Sequence, residues 1–407
     1  MKKIMALLLA LTMVVSMAAC GAKTETPATT AATQTPAGTE AATEAATEAA
    51  TEAPVAADVD YRVAMVTDSG DITDQSFNQT TWEAVEKFGK DNGVDYKYYK
   101  PTTADDAGRV ASIELAIADG YNVIVLPGYL FAAAIVEVAP NYPDVKFIGL
   151  DVSEFDLQDN AAKQGVELDM SNVYTAIYQE ELCGYMAGYA AVKLGYTKLG
   201  FLGGMAVPAV IRYGFGFVQG ADAAAKELGI TVDMNYAYGN QFFGDADITA
   251  AMDTWYAAGT EVVFACGGGI YTSAAEAAKK VNGKVIGVDV DQSGIIDGDY
   301  GEGITVTSAM KGLAATTIDT LTDVVINGNW ANYAGKIANL GLVNGEDPAA
   351  NYVQIAPTTQ FAEGKFTEAD YAALVKAMFE GTVQVSNDTT AMPATTNVNV
   401  TDLGNLK

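Results

Sequence analysis

Two carboxylates, Asp68 and Asp289, each follow a short apolar run with strand character, residues 61–66 and 284–288. A carboxylate so placed can accept hydrogen bonds from the hydroxyls or ring N–H groups of a small molecule, or it can cap the next helix. The sequence leaves both open, and Asp71, Asp74 and Asp291 stand near enough to play either part. Phe77 opens a helical pattern directly after a loop, and Phe242-Phe243 lies among Gly, Asn and Asp. One ring from each half of the chain could sandwich a flat heterocycle by offset stacking, or each could tuck into its own core. Gly267-Gly268-Gly269 follows an apolar strand, where glycine lets backbone approach a ligand closely. Lys311, after the strand-like run 305–310, could donate to a ribose hydroxyl or stand in solvent.

Other chemistry is excluded by what the chain lacks. None of the 407 residues is a histidine, which removes Ser-His-Asp and Cys-His nucleophiles, histidine metal sites and imidazole proton shuttles. The glycine run lacks the spaced dinucleotide fingerprint, and no phosphate loop ends in Gly-Lys-Ser/Thr, so a nucleotide phosphate is not favoured. Asp68, Asp71 and Asp74 lack the calcium-loop pattern with its bidentate Glu, and neither metal nor cofactor is expected. Acidic clusters would permit metal-assisted nucleoside hydrolysis, yet no nucleophile motif accompanies them, and the chain reads as a non-enzyme. With Asp+Glu 51 against Lys+Arg 23 the formal net charge is -28, which repels phosphates and argues against nucleic acid as a partner. Three cysteines do not make a disulfide framework; Cys183 and Cys266 sit inside apolar patterns.

The elements that would position these residues alternate regularly. Strands are expected at 61–66, 95–99, 122–126 and 145–150, with helices at 76–91, 107–118 and 132–139 between them. A long helix is expected over 174–194, bearing the small residues Gly184, Ala187, Gly188 and Ala191. The cycle then restarts, with strands at 198–202, 231–238, 262–265 and 284–288 and helices at 213–227, 248–258 and 273–280. Strands separated by helices imply parallel sheets covered on both faces. Two successive sets imply an α/β fold of two doubly wound lobes, whose ligand lies beyond the carboxyl ends of the strands. The lobes are expected over about 58–170 with a returning segment near 290–325, and over about 171–289 with the C-terminal segment. Residues 361–380 should add a helix, and the end is rich in Thr, Asn and Val.

Ahead of this body, Lys2 and Lys3 precede the apolar run 4–19, short of the about 20 residues a bilayer span needs and suited to an export signal. Met17-Ala18-Ala19-Cys20 is similar to the bacterial lipobox, although Leu is commoner where Met17 stands. Cleavage before Cys20 and lipid attachment to its sulfur would follow; the alternative is an ordinary signal cut near Ala19. Residues 21–57 are mostly Ala, Thr, Glu and Pro, without an aromatic ring. They have too little to bury to offset the entropy of ordering. As a coil they would span about 30 Å and tether the body to the membrane.

Several stretches together resemble the basic membrane protein family of substrate-binding lipoproteins. They are 63–68 with Asp74-Gln75-Ser76-Phe77-Asn78-Gln79, then 185–191, 214–220, 285–292 and Thr307-Ser308-Ala309-Met310-Lys311. The likeness covers residues 61–344. It implies a type I periplasmic-binding-protein fold with a hinge between the lobes, and a lipid-anchored, extracytoplasmic monomer that captures nucleosides, purines by preference, for the permease and ATPase of an ABC importer. A receptor of the same fold for a simple sugar or a sugar-derived signal is the alternative. Carried over residue by residue, Phe77 and Phe243 resemble the rings that sandwich the base; Phe243 is preferred to Phe242 for its spacing to Asp245. Asp68 and Asn78 resemble base-reading residues, Asp151 a further polar contact, Asp289 and Lys311 the pair on the ribose hydroxyls, and Gly269 the glycine against the sugar. The run Gly267-Gly268-Gly269-Ile270-Tyr271 departs from the Gly-Gly-Thr-Gly-like run usual in the family, and Tyr271 could alter the pocket.

Overall fold

The computed structural model describes residues 59–407; the expected export signal, Cys20 and the expected Ala/Thr/Glu/Pro tether lie outside the described residues. In chain order the strands are β1 (Arg62–Val66), β2 (Asp95–Tyr99), β3 (Val123–Pro127), β4 (Lys146–Leu150), β5 (Val173–Tyr178), β6 (Lys198–Gly203), β7 (Val232–Tyr238), β8 (Val262–Cys266), β9 (Lys284–Asp289), β10 (Thr305–Lys311), β11 (Lys336–Leu340), β12 (Val353–Ile355) and β13 (Val398–Asn405). The helices are α1 (Phe77–Asn92), α2 (Asp106–Ala118), α3 (Ala132–Val138), α4 (Glu154–Gln164), α5 (Glu180–Leu194), α6 (Pro208–Leu228), α7 (Ala246–Ala257), α8 (Tyr271–Val281), α9 (Ser293–Tyr300), α10 (Leu313–Leu321) and α11 (Glu368–Phe379).

Two sheets result, one per lobe. The first runs β11-β5-β4-β3-β1-β2 and the second β12-β10-β9-β8-β6-β7-β13. Every neighbouring pair is parallel except β10 with β12. The central strands β3 and β8 are buried along their whole length, as expected where helices cover both faces of a parallel sheet. α1 turns Thr81, Ala84, Val85 and Phe88 inward at three- and four-residue intervals.

The expected helix 174–194 divides. Residues 173–178 are β5, and the helix begins only at Glu180. β5 is buried at every position but one, and an apolar run of that length carries no period that separates strand from helix. The division moves the lobe limits expected near 170 and 290–325. β5 stays in the first sheet, α9 and β10 stay with the second lobe, and the returning segment is α10 to β11. The chain therefore crosses between lobes near Gln179, Gly312 and Gly341.

Below these crossings α5 and α6 pack backbone to backbone. A Cβ on Gly184 or Gly188 would meet the carbonyls of Tyr213 or Phe217 at 2.2 and 2.1 Å, and one on Gly216 or Gly220 those of Glu181 or Tyr185 at 2.1 and 2.0 Å. The small residues read from the sequence thus serve helix contact, and that contact brings Glu180, Arg212 and Tyr213 together under the cleft.

Candidate functional site

The carboxyl ends of β1, β3, β4, β8, β9 and β10 converge on one cleft between the lobes. Asp68, Asp74, Phe77, Asn78, Gly128 and Asp151 line it from the first lobe; Val210, Tyr213, Phe242, Gly267, Asp289 and Lys311 line it from the second. Three polar contacts cross it. Ser76 Oγ donates to Asp289 Oδ2 at 2.5 Å, Gln292 Nε2 to the Gln75 carbonyl at 3.0 Å, and Lys311 Nζ to Asp151 Oδ2 at 2.5 Å.

The first-lobe wall is held by its own hydrogen bonds. Asp68 Oδ1 accepts from Gly70 N at 2.8 Å and from Asn78 Nδ2 at 2.9 Å. Asp74, not Asp68, serves the start of α1: its carboxylate accepts from the backbone N–H of Ser76, Asn78 and Gln79 at 2.9, 3.0 and 3.1 Å. Burial raises the Asp74 carboxyl above the usual range against these bonds. Asn78 is buried, its amide shared between Asp68 and Asp74. Asp71 lies aside in an ion pair with Lys100. Among the described residues no group of three or more His, Cys, Asp or Glu is arranged to hold a metal ion.

The floor is a buried charge cluster around Lys311. Its ammonium lies 2.5 Å from Asp151, 3.4 Å from Glu180 and 3.7 Å from Asp289, and 4.5 Å from the Phe77 ring centroid. Burial alone would lower the lysine, but Asp151, Asp289 and Glu180 hold it well above its ordinary value, so it stays charged. Burial raises the Asp151 carboxyl while Lys311 pulls it back. Burial would likewise raise Glu180, yet Arg212, at 2.6 Å, and Lys311 hold it below the usual range. Asp289 accepts from Ser76 Oγ and, at 3.3 Å, from Tyr213 OH; it caps no helix. Asp151 and Asp289 both take positive φ, 59° and 65°. A non-glycine residue in that region is strained, and such strain gathers at ligand sites.

The two adjacent phenylalanines part company. Phe242 faces the cleft, while Phe243 is 61% exposed and off its lining, a correction to the preference for Phe243. The cause lies in the backbone: Gly269 N donates to the Phe242 carbonyl at 2.9 Å, and Phe243 bridges to Gly269 in parallel register. Successive side chains of an extended segment point opposite ways. Gly269 is therefore occupied by this loop and stands off the lining, where Gly267 and Gly268 stand instead. A Cβ on Gly268 would meet the Phe242 carbonyl at 2.8 Å, so the glycine run admits a loop as well as a ligand. Tyr271, buried, belongs to the apolar cluster under α7 and α8 and not to the cleft.

A family model described as the PnrA-like ABC transporter substrate-binding proteins, Bmp, matches residues 61–346. The chain belongs to this family. The nucleoside-binding protein BmpA of Lactococcus lactis is 33% identical over 250 residues, 57% of this chain and 65% of that relative; the chain thus matches a little under two thirds of that relative's length. A CD4+ T-cell-stimulating antigen of Listeria monocytogenes is 31% identical over 62% of this chain and 70% of its own. A lipoprotein of Pyrococcus abyssi is 27% identical over 74% and 71%. A solved solute-binding protein of Aeropyrum pernix superposes with a TM-score of 0.61 at 21% identity, covering 81% of this chain and 88% of its own. The fold is that of type I periplasmic-binding proteins. Among the described residues no helix is long and apolar enough to cross a membrane.

Four residues of this Bmp-family chain, Ser76, Tyr213, Glu180 and Arg212, join the site without having been expected there. Ser76 stood next to the chosen Phe77 in a matched stretch and could have been found there. Glu180 sits inside what reads as the helix 174–194 and Arg212 just ahead of the one expected over 213–227, 32 residues apart, and nothing in either local pattern marks them.

Proposed function

We propose that this chain is an extracytoplasmic, lipid-anchored receptor that captures purine nucleosides and delivers them, as a monomer, to the permease and ATPase of an ABC importer. The observation that carries the reading is the joint placement, on one interlobe cleft, of two aromatic rings from opposite lobes, Phe77 and Phe242, with Asp68 on one wall and the Asp289–Lys311 pair at the floor. Rings from the two lobes suit the two faces of a base. Asp68 suits its N–H groups, and Asp289 with Lys311 suits ribose hydroxyls, acceptor beside donor. Asn78, with its amide shared between two carboxylates, fits a role in fixing Asp68 as well as in reading the base. Asp151 completes the lysine's surroundings. The nucleoside-binding relative supports the same substrate class. No bond is made or broken: capture needs affinity and closure, and a ligand that contacts both walls favours the closed state.

Calorimetric titration of the purified body with inosine, guanosine, adenosine and ribose tests this. Nucleosides should bind and ribose far more weakly; binding of ribose without any nucleoside would replace the reading with a sugar receptor. Prolonged incubation with nucleosides and divalent metals should release no free base. Cys20→Ser should free the protein from membranes without changing its affinity.

A further inference from the structure

The loop 239–245, which carries Phe242, is gripped from two sides. On one side stand Gly267 to Gly269. On the other lies β13, outside the family-matched residues 61–346 and given no role by the cleft itself. β13 starts firmly: Asp222 Oδ1 accepts from the N–H groups of Thr396, Asn397 and Val398 at 2.8, 2.6 and 3.0 Å. It then follows β7 in parallel register to Asp402, and the register shifts before Asn405 pairs with Tyr238. Gly404 takes φ 64° at this irregularity, and its N–H donates to Asp402 Oδ1 at 2.9 Å. Bulges of this kind re-aim the residues that follow. Leu406 N consequently donates to the Tyr238 carbonyl at 2.8 Å, and its side chain packs on the cluster under α7 and α8. The Lys407 ammonium reaches Asp245 and, at 3.4 Å, Gln241 Oε1. Gln241 Nε2 in turn donates to the Phe243 carbonyl and to Asp245 Oδ2, both at 2.9 Å.

We infer that Leu406 and Lys407 are positioning residues for the ligand: they clamp the loop 239–245 and fix the Phe242 ring against the cleft, so that β13 tunes affinity from behind the binding wall. The inference rests on the nucleoside reading. Lys407 also holds the Asp245 carboxyl down to about 2. Lys407 and Asp245 are 29% and 28% exposed, enough water for salt to weaken the pair.

The test combines Lys407→Ala, Lys407→Arg and Phe242→Ala in the full chain with inosine titration and amide hydrogen exchange. Lys407→Ala should weaken inosine about three- to fivefold, as a partly exposed pair allows, with Lys407→Arg retaining the wild-type affinity. In the Phe242→Ala background Lys407→Ala should add nothing, because the ring through which it acts is gone. Without ligand, exchange across 241–245 should quicken about fivefold in Lys407→Ala while the thermal midpoint stays put. Unchanged exchange in Lys407→Ala, or affinity losses that add in the double variant, would overturn the clamp. Should the wild type bind no nucleoside at all, the nucleoside reading fails, and exchange alone decides whether Lys407 holds the loop.

Discussion

The two walls of the cleft come from lobes of the same winding, yet they are armed differently. The first-lobe wall is polar and tied down in advance: Asp68, Asp74 and Asn78 hold one another, and Asp74 fixes the start of α1. The second-lobe wall is largely apolar and backbone, with Val210, Phe242, Cys266, Gly267 and Gly268 above the charged floor. The same topology places a strained aspartate at the end of the fourth strand of each lobe, Asp151 and Asp289, and both face one ammonium contributed by the second lobe. The contrast teaches a division of labour. In the proposed receptor the hydrogen-bonded wall would read polar atoms and the smoother wall would cover them, and Lys311 stands where the two meet.

Breaking that meeting point should have the largest effect. Lys311→Met leaves Asp151, Glu180 and Asp289 buried around a missing cation, and denaturant unfolding should show a loss of about 3–5 kcal/mol, with nucleoside binding abolished. A loss below about 1 kcal/mol would mean that water already reaches the floor.

Glu181 sharpens the comparison from beneath. It is buried beside Glu180, and its Oε2 has no partner among the described residues; burial, then Glu180, raises its carboxyl to about 7. Because the folded value lies above the unfolded one, its contribution is fully present below about pH 4 and is lost as pH rises to about 7. Glu181→Gln should therefore stabilise the protein at pH 8 by up to about 3 kcal/mol and change little at pH 4. Thermal melts at the two pH values check the sign, and equal shifts at both would contradict it.

The rings differ more finely. Phe77→Ala and Phe242→Ala should each weaken nucleoside binding at least about tenfold, given about 1–3 kcal/mol per stacked base, whereas Phe243→Ala should change it less than about twofold. An equal loss at Phe242 and Phe243 would show that the loop turns over on binding. Asp289→Ala should cost ribonucleosides more affinity than free bases, the smallest contrast of the set because Lys311 remains.

Much of the fold was legible because parallel strands and their covering helices leave a plain record. Runs such as Val123–Pro127 end at a Pro-Gly, and helices such as α1 repeat apolar residues at three and four. β5 escaped because a strand buried at all but one position that runs into a buried helix leaves no period to divide them. β13 escaped because most of its residues are exposed, so no apolar alternation marks it; its partner β7 and Asp222 hold it. At the site, Asp68, Phe77, Asn78, Asp151, Asp289 and Lys311 were all named from the sequence, and the structure gathers them on one cleft.

The sequence by itself determined the winding, the acidic and histidine-free chemistry, and which strand ends carry polar or aromatic groups, since these follow from local order along the chain. Tertiary structure alone decided which phenylalanine faces inward, which carboxylates surround Lys311, and where the chain changes lobe. Those outcomes depend on contacts between residues far apart in sequence, such as Arg212 with Glu180 or Gly269 with Phe242, and local pattern carries no information about them.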